Sequence, residues 1–246
     1  MFQGFYDLAA NMITQNRKMN VISNNMSNIS TPGFKSDKLI ETTFKDELIF
    51  RYDRDGKNPI GTMSRVNTID ERITDHSQGG FKDTSNPLDF ALEGNGFFVI
   101  QSANGEVYTR NGSFSIDNEG YLALDGVGRV MGQNGPIFMP TDNIESDEKG
   151  YIYNADTKQV IGRLRLVDFN DYTQLVKRSN GIFTGNGAIE NPQNVTVNRM
   201  KIEDSNVSLV EEMTAMMSGQ RTIQSAAQML KMYDQLTAKA AQTGSL

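Results

Sequence analysis

Asp89 and Glu93, four residues apart, are the nearest thing in this chain to a glycosidase pair. In such a pair one carboxylic acid protonates the leaving oxygen and the other carboxylate acts as base or nucleophile. His76 is the only histidine, and the chain has no cysteine. Metal sites draw on several nitrogen or sulfur ligands, so His76, in a polar stretch beside Asp75, is expected to be solvated or locally bonded. Gly94-Asn95-Gly96 precedes a strand-like run instead of opening a helix and lacks a third glycine, so it reads as a turn and not as a nucleotide loop. Asp142, Asp147, Glu148 and Asp156 are scattered without the spacing of a calcium loop. The triplets beginning at Asn28 and Asn194 are of the kind that arise by chance in a chain rich in Asn, Ser and Thr. These residues nominate no catalytic group, no cofactor site and no metal site.

The elements that would position any site are clearer. Near the start, apolar residues fall three and four apart at Phe5, Leu8, Met12, Met19, Ile22, Met26 and Ile29, with Gln15 in the gap. The pattern returns as Leu209, Met213, Met216, Gln220, Ile223, Ala227 and Leu230. This is a narrow seam at a 3.5-residue period, which helices bury against other helices. Each seam carries one mid-stripe glutamine, a residue able to fix register between partner helices. Several seam positions are methionine, whose flexible side chain accepts inexact neighbours. The spacing therefore predicts two terminal helices that pack between chains.

Fourteen of the 22 glycines lie between Gly94 and Gly187, and none between Gly4 and Gly33. Glycine is poor in helices and useful in tight turns, so the ends read as helical and the middle as a turn-rich sheet. The first helix is expected over about residues 3–28, stopping at Ser30-Thr31-Pro32-Gly33. The second is expected from near Ser208 to near Gly244. Phe44, Leu48 and Ile49 suggest a short amphipathic helix, Arg51–Gly61 an exposed loop, and Val66, Thr68 and Ile73 weak strands. Hairpins are expected around Asn104-Gly105 and Asn118-Glu119-Gly120, and Lys149-Gly150 introduces a further strand. Ile161, Leu164, Leu166 and Val167 are expected in one later strand pair. The expected architecture is α+β, with N- and C-terminal helices pairing as a coiled coil and a central, mainly antiparallel β domain. Its boundaries are an N-terminal helix at 1–30, an irregular connection at 31–80, the β domain at 81–204 and a C-terminal helix at 205–246.

The net charge of −6 is carried by the middle, since residues 1–30 sum to +1 and residues 205–246 to zero. Nothing in this balance attracts nucleic acid or anionic lipid. No apolar run approaches the roughly 20 residues of a membrane span. The start lacks the basic segment and uniform apolar stretch of a cleavable signal peptide.

Longer motifs carry a resemblance. The stretch Asn24-Asn25-Met26-Ser27-Asn28-Ile29-Ser30-Thr31-Pro32-Gly33-Phe34-Lys35 resembles the N-terminal signature of the bacterial flagellar rod and hook proteins. Gln78-Gly79-Gly80-Phe81 and the run Asn86-Pro87-Leu88-Asp89-Phe90-Ala91-Leu92-Glu93-Gly94-Asn95-Gly96-Phe97-Phe98 are similar to that family's central motif. Tyr108-Thr109-Arg110-Asn111-Gly112-Ser113-Phe114 is similar to the block after it. Ser205-Asn206-Val207, Glu211-Glu212 and Gln220-Arg221 are similar to the C-terminal signature. The chain departs from the pattern at Gly219, inside the last helix, and at Thr222-Ile223.

The resemblance implies a structural subunit of the flagellar basal-body rod, of the distal or proximal rod group, and no enzyme. A hook or hook-junction subunit is the alternative, and an exported carbohydrate-active enzyme using Asp89 and Glu93 a remote one. It implies terminal helices paired in the inner layer of a tube, an outer β domain, and export through the flagellar type III apparatus without signal cleavage. The implied partners are copies of this chain, other axial proteins and that apparatus, with no nucleic acid, no membrane insertion, no small-molecule substrate and no cofactor. The expected assembly seam is Phe5, Leu8, Met12, Met19, Ile22 and Met26 with Met213, Met216, Ile223 and Leu230. The Thr31–Lys35 turn is expected to set the angle at which the chain leaves the helices.

Overall fold

The computed structural model describes residues 2–243 apart from 45–46, 54–55, 64–65, 179–180, 191 and 193–194. Helix α1 spans Phe2–Ser27. It ends where Thr31 N–H donates to the Asn28 carbonyl (3.1 Å) and Phe34 N–H to the Thr31 carbonyl (3.3 Å), two successive turns around Pro32. The chain divides into two units. Met1–Ser27, Asp37–Ile73 and Ser208–Leu246 form the first; Asn28–Ser36 and Thr74–Val207 form the second.

The first unit holds the helices and four strands: β1 (Asp37–Phe44), β2 (Glu47–Asp53), β3 (Gly56–Met63) and β4 (Val66–Thr74). β1 lies beside β4, and β2 pairs antiparallel with β3. The short helix expected around Phe44, Leu48 and Ile49 is therefore strand, and so are the described residues of the loop expected at Arg51–Gly61. The apolar positions there were too few to separate a helical period from a strand, and cross-strand pairing decided the matter.

The described residues of the second unit form strands joined by turns and loops, with a 3-10 turn at Tyr172–Gln174. It begins with β5 (Phe81–Asp83), β6 (Phe90–Glu93), β7 (Phe97–Ser102), β8 (Gly105–Thr109), β9 (Ser115–Ile116), β10 (Leu122–Leu124), β11 (Gly128–Gly132) and β12 (Gly135–Pro136). It continues with β13 (Ile144–Ser146), β14 (Tyr151–Asn154), β15 (Val160–Arg163), β16 (Leu166–Phe169), β17 (Val176–Lys177), β18 (Ile182–Thr184), β19 (Ala188–Glu190), β20 (Thr196–Arg199) and β21 (Lys201–Glu203). Helix α2, back in the first unit, spans Leu209–Thr243; the expected stop at Gly244 lies outside the described residues.

The main sheet runs β17-β18-β8-β7-β11-β10-β9, with β16 also on β7. β13-β14-β15 form a meander, while β20 pairs with β6 and β21 with β5. Central strand β7 explains its own sequence. Phe98 and Ile100 enter one core with Phe90, Leu92, Phe114, Leu122, Ile152 and Leu164. Phe97 and Val99 enter a second, with Tyr108, Val167, Phe169 and Phe183. A strand buried on both faces needs an unbroken apolar run, and Phe97-Phe98-Val99-Ile100 supplies it. The expected hairpins form, with Ile100 opposite Val107 and Leu122 opposite Ile116. Ile161 and Leu166 are not in one strand pair: β15 joins the meander through β14, whereas β16 pairs with β7 and β19.

Candidate functional site

The signature residues gather in two places, one in each unit. In the second unit, three stretches of chain are stitched into a neck: 33–36, 75–79 and 203–206. Gly33 N–H donates to the Glu203 carbonyl (2.7 Å), Asp75 N–H to the Ser36 carbonyl (2.8 Å) and Asp204 N–H to the Gly80 carbonyl (2.8 Å). Asn206 sits among them. Its Oδ1 accepts from Ser36 N–H (2.7 Å), and its Nδ2 donates to the carbonyls of Asp75 (2.8 Å) and Ser77 (3.2 Å). One amide side chain thus stands in for a strand edge, donating and accepting as a backbone would. Ser205 Oγ accepts from Val207 N–H (3.3 Å), which turns the chain toward α2.

Two glycines are required by the closeness of these segments. A Cβ on Gly79 would lie 2.0 Å from the Asp204 carbonyl oxygen. On Gly33, at φ +67°, it would lie 2.4 Å from the Arg110 carbonyl carbon. Both contacts are with backbone, which cannot swing away.

Charge is buried in the neck. Lys35 is 0% exposed, Glu203 0% and Arg110 3%. Lys35 Nζ donates to Glu203 Oε1 (2.5 Å) and to the Ser77 carbonyl (2.7 Å). Arg110 Nη1 reaches Glu203 Oε2 at 3.4 Å, and its Nη2 donates to the Gly94 carbonyl at 2.8 Å. Glu203 Oε1 also accepts from Gly79 N–H (3.0 Å). Burial lowers the pKa of both cations, and the Glu203 carboxylate opposes that shift in each. Lys177 lies over the Phe34 ring, 3.9 Å from its centroid, and donates to the Lys35 carbonyl.

His76, expected to be solvated or locally bonded, is half-buried among aromatic rings. Its ring stacks on Tyr172 at 4.8 Å and tilts against Phe183 at 5.3 Å. Nδ1 makes no hydrogen bond to protein. Burial, with the positive charges of Lys35, Arg110 and Lys177, pushes its pKa down to about 4. A neutral ring filling an aromatic pocket beside three cations is a packing element.

Asp89 and Glu93, the nearest candidates for an acid pair, sit in different surroundings. Asp89 is buried, accepts from Asn86 Nδ2 (2.9 Å) and gives its carbonyl to Met200 N–H (2.8 Å). Glu93 is exposed at the far end of β6 and accepts from Asn198 Nδ2 (3.2 Å). Leu88, Gly96, Phe97 and Phe98 are buried, with Pro87 and Gly94 half-buried in the flanking turns. The central motif is thus a turn and a core strand.

The second gathering is the helix pair of the first unit. A Cβ on Gly4 would fall 2.9 Å from the Tyr233 hydroxyl, Gly219 faces Met19, and Asn25 bonds Glu212, so the helices run antiparallel. Asn25 is buried and fully used. Its Oδ1 accepts from Asp37 N–H (3.0 Å), and its Nδ2 donates to the Asp37 carbonyl (3.0 Å) and Glu212 Oε1 (2.8 Å). Asn24 is exposed, Asn28 Oδ1 accepts from Thr31 Oγ1 (3.2 Å), and Glu211, Gln220 and Arg221 are exposed on α2.

Of the expected seam residues, Leu8, Met12, Met19, Ile22, Met26, Met216, Ile223 and Leu230 are half-buried, while Phe5 and Met213 are exposed. The least exposed stripe of α2 is Glu212, Met216, Gly219, Ile223, Ala226, Leu230 and Tyr233. It shares Met216, Ile223 and Leu230 with the expected seam and swaps Met213, Gln220 and Ala227 for the residue before each. Leu209, Val210, Met213 and Met217, then Met229, Met232 and Leu236, remain exposed.

Sequence reasoning missed an internal repeat. Asp117-Asn118-Glu119-Gly120-Tyr121-Leu122 and Asp147-Glu148-Lys149-Gly150-Tyr151-Ile152 build the same corner. In each, the Asp N–H donates to the Tyr carbonyl, the Gly N–H donates to the Asp carbonyl, and the Asp Oδ1 accepts two residues on. Each glycine carbonyl accepts from a buried residue, Met139 or Leu164. Each tyrosine ring lies under an arginine, Arg129 at 4.4 Å and Arg163 at 4.8 Å. The shared Asp-x-x-Gly-Tyr spacing was the available signal.

Comparison with known proteins gives this arrangement a family. Residues 9–35 match the flagella basal body rod protein family, 91–207 the flagellar hook protein FlgE/F/G D1 domain, and 201–243 the flagellar basal body rod FlgEFG protein C-terminal family. The chain is 31% identical to the flagellar basal-body rod protein FlgG of Bacillus subtilis, over 96% of this chain and 97% of that protein. It is 28% identical to the rod protein FlgF of Caulobacter vibrioides, over 94% and 93%. With the hook protein FlgE of Borreliella burgdorferi it shares 30% identity over 54% of this chain but 31% of that protein. The chain belongs to the flagellar basal-body rod protein family.

Proposed function

We propose that this chain is a structural subunit of the flagellar basal-body rod that polymerises through its terminal helices into the tubular shaft linking motor to hook. The observation that carries this is the uncovered apolar surface of α2, where Val210 is 75% exposed, Leu236 63% and Met217 52%. Apolar side chains repeated along a helix call for a partner. Here the partner is a neighbouring copy or another axial protein, meeting this chain head to tail so that the contact propagates as an open helix.

Within this reading the α1–α2 pair acts as a coiled coil, with Phe5, Leu8, Met12, Met19, Ile22, Met26, Met213, Met216, Ile223 and Leu230 contributing to the seam. Residues 1–30 and 205–246 supply the inner layer of the tube, 81–204 the outer, and 31–80 the connection. The subunit travels through the flagellar type III apparatus without signal cleavage and takes its place in the basal body. The rod is favoured over the hook because the rod relatives align along their full length and the hook protein over a third of its own. The same family membership supports a structural role rather than catalysis.

The test is deletion of residues 1–28, followed by polymerisation of purified protein and swimming of the host strain. Loss of both is expected, with the second unit still folded. Retained rod assembly would refute the reading.

A further inference from the structure

In the neck, two cations share one carboxylate. Lys35 and Arg110 both pair with Glu203, and all three are buried. Glu203 lies 168 residues after Lys35 and 93 after Arg110, on the last strand before α2. We propose that this triad is a charge-gated latch: the 33–36 turn closes on the rest of the second unit only when Glu203 arrives, so the neck stays open until the C-terminal strand is in place.

The physical reason is the asymmetry of buried charge. A buried ion pair offsets its own desolvation, whereas a buried cation left alone does not. Without Glu203, Lys35 and Arg110 lose the carboxylate that touches them and keep only the weaker pull of Asp75 and Asp168, and closing the neck would hold both away from water. Both cations are already held at lowered pKa by burial, with Glu203 opposing the shift. Hydration of the two cations then favours the open form. With Glu203 in place, the carboxylate also organises backbone, accepting from Gly79 N–H, while its own carbonyl accepts from Gly33 N–H. The latch concerns folding of a single chain and does not depend on the assembly reading.

A charge latch and an ordinary hydrogen-bond network predict opposite results in one pair of variants. In a network, losing Lys35 after losing Glu203 removes one more bond and worsens closure. In a charge latch, Lys35→Met removes one of the two stranded cations from the Glu203→Gln protein and restores closure in part, Arg110 still lacking its carboxylate. Lys35→Met alone leaves Arg110 and Glu203 as a balanced pair.

The readout is native-state amide hydrogen exchange of the full chain at Ser36 and Asp75. These amides bond Asn206 Oδ1 and the Ser36 carbonyl, not Glu203. Glu203→Gln should lower their protection by about tenfold or more, while amides of β7 keep theirs. Lys35→Met should change it by less than about threefold, and the double variant should regain about threefold or more of the protection lost in Glu203→Gln. A double variant no better protected than Glu203→Gln, or a Lys35→Met protein as open as Glu203→Gln, overturns the proposal. If Glu203→Gln does not fold, the double variant should; its failure to fold would overturn the proposal as well.

Discussion

In the neck, charged and polar side chains are buried, and their partners come from the same chain. Along α2, apolar side chains are exposed, and none of the described residues covers them. Lys35, Glu203 and Asn206 close a polar joint that is complete in one molecule. Met213, Met217, Met232 and Leu236 face outward. The difference teaches that one chain can carry two kinds of surface: a joint completed within the molecule and an apolar face left open to the partner proposed above. Substitutions in the neck should therefore act on folding, and substitutions on the outer face of α2 on association.

The largest effect on folding is expected at Gly79. An alanine Cβ there would meet the Asp204 carbonyl oxygen, and moving backbone costs roughly 3 kcal/mol or more. Urea unfolding of Gly79→Ala, followed by the β-domain signal, checks this; an unchanged midpoint would mean the neck is looser than described. Next is Asn206→Ala, which leaves the Ser36 amide and the Asp75 carbonyl without their partner at a cost of about 2–4 kcal/mol.

Acid should act on the neck through His76. Its folded pKa of about 4 lies below its ordinary 6.5, so between those values the unfolded chain binds more protons. Stability is full above pH 6.5 and falls as the pH drops toward 4. The ring is partly exposed and its surroundings screened, so the loss should be about 1–2 kcal/mol. Unfolding midpoints measured from pH 7 to 4 should slope less in His76→Phe than in the parent.

Gly219→Ala should go the other way, stabilising the helix pair by about 0.5–1 kcal/mol. The added methyl would sit 3.5 Å from Met19 Cγ, an ordinary contact. Thermal melting of the helical signal measures it. The smallest stability effect, within about 0.5 kcal/mol, is expected for Met213→Glu with Met217→Glu. The same double variant should no longer form filaments, as sedimentation would read. A variant that still polymerises would collapse the contrast between the two regions.

How far the sequence carried differs between them too. The helices were legible because their period repeats locally, and the double burial of β7 because four apolar residues in a row have few other uses. The strands at 37–63 were not legible, since Phe44, Leu48 and Ile49 satisfy a helical spacing as readily as a strand, whereas Val66, Thr68 and Ile73 marked β4. The motif residues could be recognised without being understood. Asn25 and Asn206 look alike in sequence, yet one ties α1 to β1 and α2 while the other closes the neck. The shift of the intramolecular stripe on α2 from Met213 to Glu212 was hidden for a related reason. Glu212 is polar, and no hydropathy pattern marks it as a position that faces α1.

The sequence alone determined what depends on near neighbours: two helical ends, a glycine-rich sheet between them, an apolar strand for the core, and motifs specific enough to place the chain in a family. Tertiary structure decided the rest, because the decisive contacts join residues far apart. Lys35 meets Ser77 across 42 positions and Glu203 across 168, and Asn25 meets Glu212 across 187. A buried lysine is stable only beside its carboxylate, and no local pattern says which carboxylate that will be.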